Sequence, residues 1–397
     1  MGHHITFVAM PVHGHVLPTL GVVEELARRG HRVSYLIAGK YAEAVREAGG
    51  HPIRYPSEMA ASDLSAMLAR SDPMKGFELM VSETAAIVAA AREEPADSPP
   101  DVVVYDQMAS GPGRMLAGSW AVPAVQTIPT PVYARQFWAH STGGERPRTR
   151  QAAPSAFADT RAKMAEVLRA HGIDLAIEDY LRTPVEEHNL VFLPRSFHKG
   201  EADPRYVFVG PCLGTRSFLG EWEPPGDGLP VILISLGTVY NAHPDFFLGC
   251  VEAFADAPLH VVISLGEGMD PAALGPLPPN IEVHRWVPHL RVLEHARVLV
   301  THGGLGSVME AFHWGRPIVV APVTPLVDIH RRVEELGLGY VLDREQIRGD
   351  RLREAVERLL GDEQTTARVA AMRQALHDSG GGELAADQIE KALAEAR

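Results

Sequence analysis

The sequence predicts an α/β protein made of two doubly wound halves in tandem, and three observations carry that prediction. Short apolar runs rich in β-branched residues alternate with amphipathic stretches of helical length, the pattern of parallel strands covered by helices on both faces. The alternation runs twice, from Ile5 to Val209 and again from Val231 onward, with the aperiodic Gly- and Pro-containing Leu213 to Leu229 between the two series. At 397 residues the chain also exceeds what a single core usually organises.

Taken in order, Ile5 to Met10 reads as a buried strand that stops at Pro11-Val12-His13-Gly14-His15. Pro18 suits the first turn of a helix that runs to about Arg29, with Gly30 as its C-cap. Strands are expected over Arg32 to Ile37, Val102 to Tyr105, Ala124 to Thr127, Leu190 to Leu193 and Val207 to Val209. Helices are expected near Tyr41 to Ala48, Phe77 to Ala91, Pro112 to Ser119, Arg161 to Ala170 and Leu175 to Leu181. From Pro129 to Pro154 the periodicity fails, and Tyr133, Phe137 and Trp138 stand among Gly, Pro and charged residues. Such a stretch is either a binding wall or a surface loop. The second series offers strands at Val231 to Ile234, Leu259 to Ile263, Ile281 to His284, Val298 to Val300 and Ile318 to Ala321. Its helices are expected at Pro244 to Phe254, Leu305 to Trp314, Val327 to Leu336, Asp350 to Leu360 and Thr365 to His377. The resulting division is a first domain over 1–212, a linker over 213–229, a second domain over 230–380 and a last helix over 381–397 that crosses back to the first domain. Ligands of such sheets bind beyond the carboxyl ends of the strands, so two facing sheets imply an interdomain cleft.

Composition narrows the function classes. A net charge of −13 without a basic cluster argues against nucleic acid and anionic membrane as partners. Two cysteines, Cys212 and Cys250, cannot build a disulfide framework, which suits a reducing cytoplasm. No apolar run reaches the length of a membrane span, and the N-terminus lacks the pattern of a signal peptide. Neither G-x-x-x-x-G-K-[ST], a G-x-G-x-x-G after the first strand, G-x-S-x-G nor C-x-x-C occurs.

Four strand ends carry chemistry. His13 and His15 follow the first strand, and Asp106 follows the strand ending at Tyr105. A carboxylate on one imidazole nitrogen fixes the tautomer and leaves the other nitrogen basic. Either histidine alone reads as readily as a structural or capping residue, and no third ligand accompanies the H-x-H pair, so no metal is expected. Ser235-Leu236-Gly237-Thr238 is a small-residue turn able to meet a phosphate or sugar. Thr301-His302-Gly303-Gly304, before an amphipathic helix, reads as a diphosphate cradle, because free helix N–H groups attract anions. Upstream lies Trp286, which reads as a nucleobase platform or a core tryptophan. Glu310, eight residues after His302, reads as a ribose-hydroxyl acceptor or a solvated surface acid.

The pattern W-V-P-x(12)-T-H-G-G-x-G-S-x-x-E-A-x-x-x-G-x-P-x-x-x-x-P, from Trp286 to Pro322, resembles the donor signature of nucleotide-sugar-dependent glycosyltransferases of the two-Rossmann B fold. The bacterial macrolide and enediyne antibiotic enzymes are the most similar branch. H-G-H-V-x-P, D-Q-x-A and S-L-G-T fall in family order, so the resemblance covers nearly the whole chain. It implies His15 as general base with Asp106 as its partner, and His13 as the alternative base. Trp286 and Val287 would hold the nucleobase. His302, Gly303, Gly304, Gly306 and Ser307, helped by Gly237 and Thr238, would hold the diphosphate, and Glu310 the ribose. Two departures stand out. His289 replaces the Gln that often follows W-x-P, and the usual D-Q after Pro322 is missing, leaving Thr324 and Asp328 as its substitutes toward the sugar.

The expected activity is inverting hexosyl transfer from a dTDP- or UDP-sugar, with a deoxysugar favoured by the missing D-Q. The acceptor would be a hydroxyl of an apolar natural product of macrolide, enediyne or other polyketide type, as in antibiotic biosynthesis. No metal or other cofactor is expected, and the state in solution would be monomer or homodimer. The acceptor would lie beside Met59 to Met80 and Tyr133 to Phe157, with Phe137 and Trp138 against it. The alternatives are a nucleotide-sugar epimerase of the same fold and a non-catalytic nucleotide-sugar binding protein.

Overall fold

The structure is a computed structural model that describes residues 2–62, 73–93, 99–131, 154–181, 185–214, 220–226, 228–238, 241, 243–323, 327–343, 347 and 349–396. The chain divides into two compact units. Unit 1 holds Met1–Phe192, Gly200–Thr215 and Gly380–Arg397, and unit 2 holds Leu193–Lys199 and Arg216–Ser379. The expected linker is thus split: its residues from Arg216 onward belong to unit 2, where the Trp222 indole donates to Glu282 Oε1 at 2.7 Å.

Unit 1 is built from β1 (His4–Val8), α1 (His13–Arg28), β2 (Arg32–Ala38), α2 (Ala42–Glu47), β3 (His51–Tyr55), α3 (Glu58–Ala61), α4 (Pro73–Glu93), β4 (Val102–Asp106), α5 (Ser110–Trp120), β5 (Ala124–Ile128), α6 (Pro154–Ala170), α7 (Ile177–Leu181), β6 (His188–Val191) and β7 (Tyr206–Phe208). Its seven strands are all parallel, in the order β3-β2-β1-β4-β5-β6-β7. The β-branched and aromatic side chains of β1, β2 and β4 are buried on both faces, as helices on both sides of the sheet require.

The structure departs from the sequence reading of this unit in two places. No strand is expected over His51–Tyr55, yet β3 forms there with Pro52 inside it. That strand is the sheet edge, where a missing N–H costs no ladder bond. The first helix begins at His13 rather than at Pro18, so His13 and His15 lie in its first turn and Pro18 inside it. The ring of Pro18 leaves only the Gly14 carbonyl without its helical donor, and Gly14 is exposed to water that can satisfy it.

Unit 2 is built from β8 (Val231–Ser235), α8 (Pro244–Phe254), β9 (His260–Ser264), β10 (Ile281–His284), α9 (His289–His295), β11 (Ala296–Thr301), α10 (Leu305–His313), β12 (Ile318–Val320), α11 (Val327–Leu336), β13 (Gly339–Val341), α12 (Gly349–Leu360) and α13 (Glu363–His377). Its six parallel strands run β10-β9-β8-β11-β12-β13 around a core that includes Ile234, Phe247, Phe254, Ile263 and Val300. The short edge strand β13 and the helix α9 carry no periodicity long enough to read from sequence.

The last helix, α14 (Gly381–Glu395), belongs to unit 1. The Gly381 N–H donates to the Val209 carbonyl at 2.7 Å, and Ala385, Ala386, Ile389, Ala392 and Leu393 are buried. Arg29 on the end of α1 reaches Asp387 at 2.6 Å and Glu390 at 2.8 Å. The two helices approach so closely that a Cβ on Gly382 would stand 2.8 Å from the Gly21 carbonyl oxygen. Among the described residues, no helix is long and apolar enough to cross a membrane.

Candidate active site

In each unit the strand order reverses direction at one point, between β1 and β4 in unit 1 and between β8 and β11 in unit 2. Crevices outside the carboxyl ends of strands open at such switch points. The singled-out strand ends fall there in both units.

In unit 1, His15 comes from the turn of helix that follows β1, and Asp106 is the last residue of β4. His15 Nδ1 lies 2.9 Å from Asp106 Oδ1 and 3.0 Å from Oδ2. Oδ1 also accepts the Met108 N–H at 2.8 Å, and the Asp106 side chain is fully buried, so the carboxylate is held rigidly. A carboxylate can only accept, which places the proton on Nδ1 and leaves the lone pair on Nε2. Asp106 therefore pairs with His15. The His13 ring packs instead near Tyr41, 6.1 Å between centroids.

In unit 2 two turns of the same construction stand side by side. Ser235 and Thr301 end β8 and β11 and are register partners in the sheet. Two residues past each, a glycine takes a positive φ, 76° at Gly237; two residues past Thr301, Gly303 has 87°. The Gly237 N–H donates to Ser235 Oγ at 3.2 Å, and the Gly303 N–H to Thr301 Oγ1 at 3.3 Å. A side chain from farther along then takes a carbonyl of each turn. Asn241 Nδ2 donates to the Gly237 oxygen at 3.0 Å, and His330 Nε2 to the His302 oxygen at 2.9 Å.

The glycines have a second reason to be glycines. A Cβ on Gly237 would stand 2.6 Å from His302 Cε1, and one on Gly304 would stand 2.5 Å from His302 Nε2. A Cβ on Gly303 would meet the His330 ring at 2.6 Å. The space that the sequence suggests for a ligand beside Gly303 and Gly304 is, at their Cβ positions, filled by imidazoles. Gly304 is the N-cap of α10, while Gly306 is exposed and Ser307 half-buried on its first turn.

Burial lowers the His302 pKa to about 4, with the neighbouring His330 and His289 adding to the effect. At pH 7 this imidazole is neutral, with one ring nitrogen able to donate. His330 is shifted in the same direction by its own burial. Glu310 is buried on α10, and His289 Nδ1 lies 3.5 Å from its Oε2, so the histidine that departs from the family pattern meets the predicted ribose acceptor. Neither is solvated surface. Trp286 follows β10 and is 39% exposed, which rules out the core-tryptophan reading, whereas Val287 is buried. Thr238 is half-buried beside Gly237, and Asp328 is exposed in the first turn of α11. Phe137, Trp138 and Thr324 lie outside the described residues. Among the described residues no group of three His, Cys, Asp or Glu side chains is arranged to hold a metal ion.

Comparison with known proteins gives a consistent answer. Residues 250–390 match the family described as Erythromycin biosynthesis protein CIII-like, C-terminal domain. The chain is 36% identical over 405 residues to demethyllactenocin mycarosyltransferase of Streptomyces fradiae, covering 99% of this chain and 87% of that protein. It superposes on the crystal structure of CalG4, the calicheamicin glycosyltransferase, with a TM-score of 0.77 and 39% identity over 100% of this chain and 99% of that one. For the kitacinnamycin glycosyltransferase the TM-score is 0.81 and the identity 33%, over 99% and 100% of the two chains.

The chain belongs to the antibiotic glycosyltransferases of the two-Rossmann B fold.

Two parts of this glycosyltransferase's turns escape sequence reasoning. Asn241 and His330 belong to no part of the quoted motif, and each acts on a backbone oxygen, which leaves no complementary residue type to look for. The only hint was positional: His330 follows Asp328 in the stretch where the usual D-Q is absent.

Proposed function

We propose that this glycosyltransferase moves a deoxyhexose from a dTDP- or UDP-sugar to a hydroxyl of an apolar polyketide-type acceptor, with inversion at the anomeric carbon. The observation that carries the reading is the His15–Asp106 pair, in which the carboxylate holds Nδ1–H and leaves Nε2 ready to accept a proton. The acceptor O–H gives its proton to Nε2 as its oxygen bonds to the anomeric carbon. The bond from that carbon to the diphosphate oxygen breaks, and the electron pair leaves with the nucleotide. Inversion follows from single displacement on the face opposite the leaving group.

The leaving diphosphate gains negative charge in that step. The first-turn N–H groups of α10, Leu305 to Ser307, have no carbonyl inside the helix to bond, and they carry the positive end of its dipole. With His302 neutral, its contribution is a hydrogen bond rather than a full charge, so the helix terminus supplies most of the electrostatic stabilisation. This requires no metal. Exposed Trp286 offers an indole face to the nucleobase, and buried Glu310 accepts from the ribose. A deoxysugar follows from the missing D-Q, with Asp328 as the described carboxylate that replaces it. Cys212 and Cys250, both buried and not joined in a disulfide, suit a cytoplasmic enzyme.

The test is a thermal-shift series with dTDP, UDP, GDP and ADP, followed by reverse transfer from a glycosylated polyketide to the stabilising nucleotide. Stabilisation by dTDP or UDP, with aglycone and nucleotide-sugar formed in equal amounts, is the expected result. Stabilisation by ADP alone refutes the donor assignment. Epimerised sugar or free nucleotide produced without an acceptor refutes transfer.

A further inference from the structure

We infer that His330 is a positioning residue of the diphosphate turn: by donating Nε2–H to the His302 carbonyl, it sets the His302–Gly303 peptide so that the first turn of α10 is presented to the diphosphate. The inference rests on the reading of that turn given above.

The His302–Gly303 peptide is the joint between β11 and the helix that receives the leaving group. Gly303 holds a φ of 87°, a conformation in which the peptide before it can flip at little cost because no side chain resists. Two contacts fix it. One is local, from the Gly303 N–H to Thr301 Oγ1 at 3.3 Å, long for such a bond. The other is His330, 28 positions along the chain on α11, at 2.9 Å. Its imidazole is buried and stands where a Gly303 side chain would be, so the ring is wedged against the peptide that it bonds. In the adjacent turn after β8 a side chain also holds a backbone carbonyl, one peptide further along: Asn241 donates to the oxygen of Gly237, the positive-φ glycine itself. Two neighbouring strand ends, each with a positive-φ glycine and each with a carbonyl held by a side chain, describe a device for holding backbone donors still. Immobile donors are what stabilises a developing charge without reorganisation.

The test compares dissociation constants for dTDP and thymidine, and for UDP and uridine, in the full-length protein and two variants. His330→Leu removes the donor and retains bulk. His330→Gln keeps an amide N–H at about the reach of Nε2. In the parent, the diphosphates should bind more tightly than their nucleosides. His330→Leu should weaken the diphosphates about tenfold while leaving the nucleosides unchanged, the scale of a buried carbonyl losing its donor. His330→Gln should recover most of that loss. Equal weakening of nucleoside and diphosphate by His330→Leu would make the residue a general anchor of α11 and overturn the inference. So would an unchanged ratio, or a Gln variant no better than Leu. A parent protein that binds nucleoside and diphosphate equally would overturn the turn's assignment, and this inference with it.

Discussion

Replacing Asp106 by Asn tests the proposed mechanism at its narrowest point. The substitution keeps size and shape, and the local geometry dictates how the amide must sit. The Met108 N–H is a fixed donor 2.8 Å from Oδ1, so the amide oxygen takes that place and the NH2 group takes the place of Oδ2. That nitrogen then stands 3.0 Å from His15 Nδ1, with the amide oxygen 2.9 Å away. An N–H group now faces Nδ1–H where a carboxylate oxygen accepted from it, and the neutral amide no longer offsets the positive charge that the imidazole gains on taking the acceptor proton. A positioned base contributes roughly 10²–10⁴-fold, so kcat should fall by that factor, equivalent to about 3–6 kcal/mol of barrier. The assay is single-turnover reverse transfer, with the nucleotide dissociation constant measured on the same preparations. Trp286, His302 and Glu310 all lie in unit 2, and nucleotide affinity should be unchanged. His15→Ala should reach a similar rate, and the double variant should lose little more, because the two side chains act as one unit. A kcat within a few-fold of the parent, a parallel loss of nucleotide affinity, or losses that multiply in the double variant would each refute the pair as the base.

Two further predictions follow from buried ionisable groups, one in each unit. The His302 pKa is lowered by burial to about 4, below its unfolded value, so its stabilising share is complete above about pH 6.5 and is lost as pH falls through 4. Hydrogen exchange across β11 and α10 should reveal a loss of about 3 kcal/mol over that window. His302→Gln should remove most of that pH dependence and leave the part due to His330, whose pKa burial also lowers, and a parent that is flat from pH 7 to 4.5 would contradict the burial argument. Glu83 on α4 presents the opposite case, its pKa raised because burial disfavours the carboxylate. Oε1 accepts from Ser57 Oγ at 2.7 Å and the Met59 N–H at 2.8 Å, but buried Oε2 and the neighbouring Tyr55 hydroxyl meet in no hydrogen bond of ordinary geometry. The folded state therefore favours the neutral acid, a contribution present below the unfolded pKa and lost as pH rises through the folded one. Glu83→Gln keeps Oε1 and offers Tyr55 an N–H, so it should raise stability at pH 7 by about 1–3 kcal/mol, with the gain shrinking toward pH 4. Thermal denaturation of both proteins at pH 7 and pH 4 checks the sign.

What could be read from the sequence divides according to the range of the interaction. Pro244–Phe254 and Val327–Leu336 are found with the bounds their periodicity predicts, because an amphipathic helix writes its burial into every third or fourth residue. The fold class and the motif-bearing strand ends are legible for the same reason. Elements too short to show a period are not legible, as with α3 over four residues or β13 over three. An element that violates its own propensities is not legible either, as with β3, which is stable only because Pro52 lies at a sheet edge. The start of α1 fails similarly. Pro18 is a strong local marker of a first turn, yet the helix absorbs it in the interior because only the exposed Gly14 carbonyl is left without a helical donor.

The site shows the same division in a form that bears on mechanism. His15 and Asp106 are 91 positions apart, yet one follows β1 and the other ends β4, and topology brings the ends of these strands together at the sheet's switch point. Chemistry placed at strand ends is therefore predictable once the strand order is known. The turn after β11 is different. Its two glycines suggest room for a ligand, but the structure puts the rings of His330 and His302 at the Cβ positions of Gly303 and Gly304. These glycines are required first by the imidazoles that brace the turn. A side chain at either position would have to displace a buried ring before it met any ligand. Substitutions at Gly303 or Gly304 thus report on the bracing of the turn before they report on diphosphate contact, and a loss of activity at either glycine is no evidence of direct contact. The separation of nucleoside from diphosphate affinity at His330 is the measurement that tells the two apart.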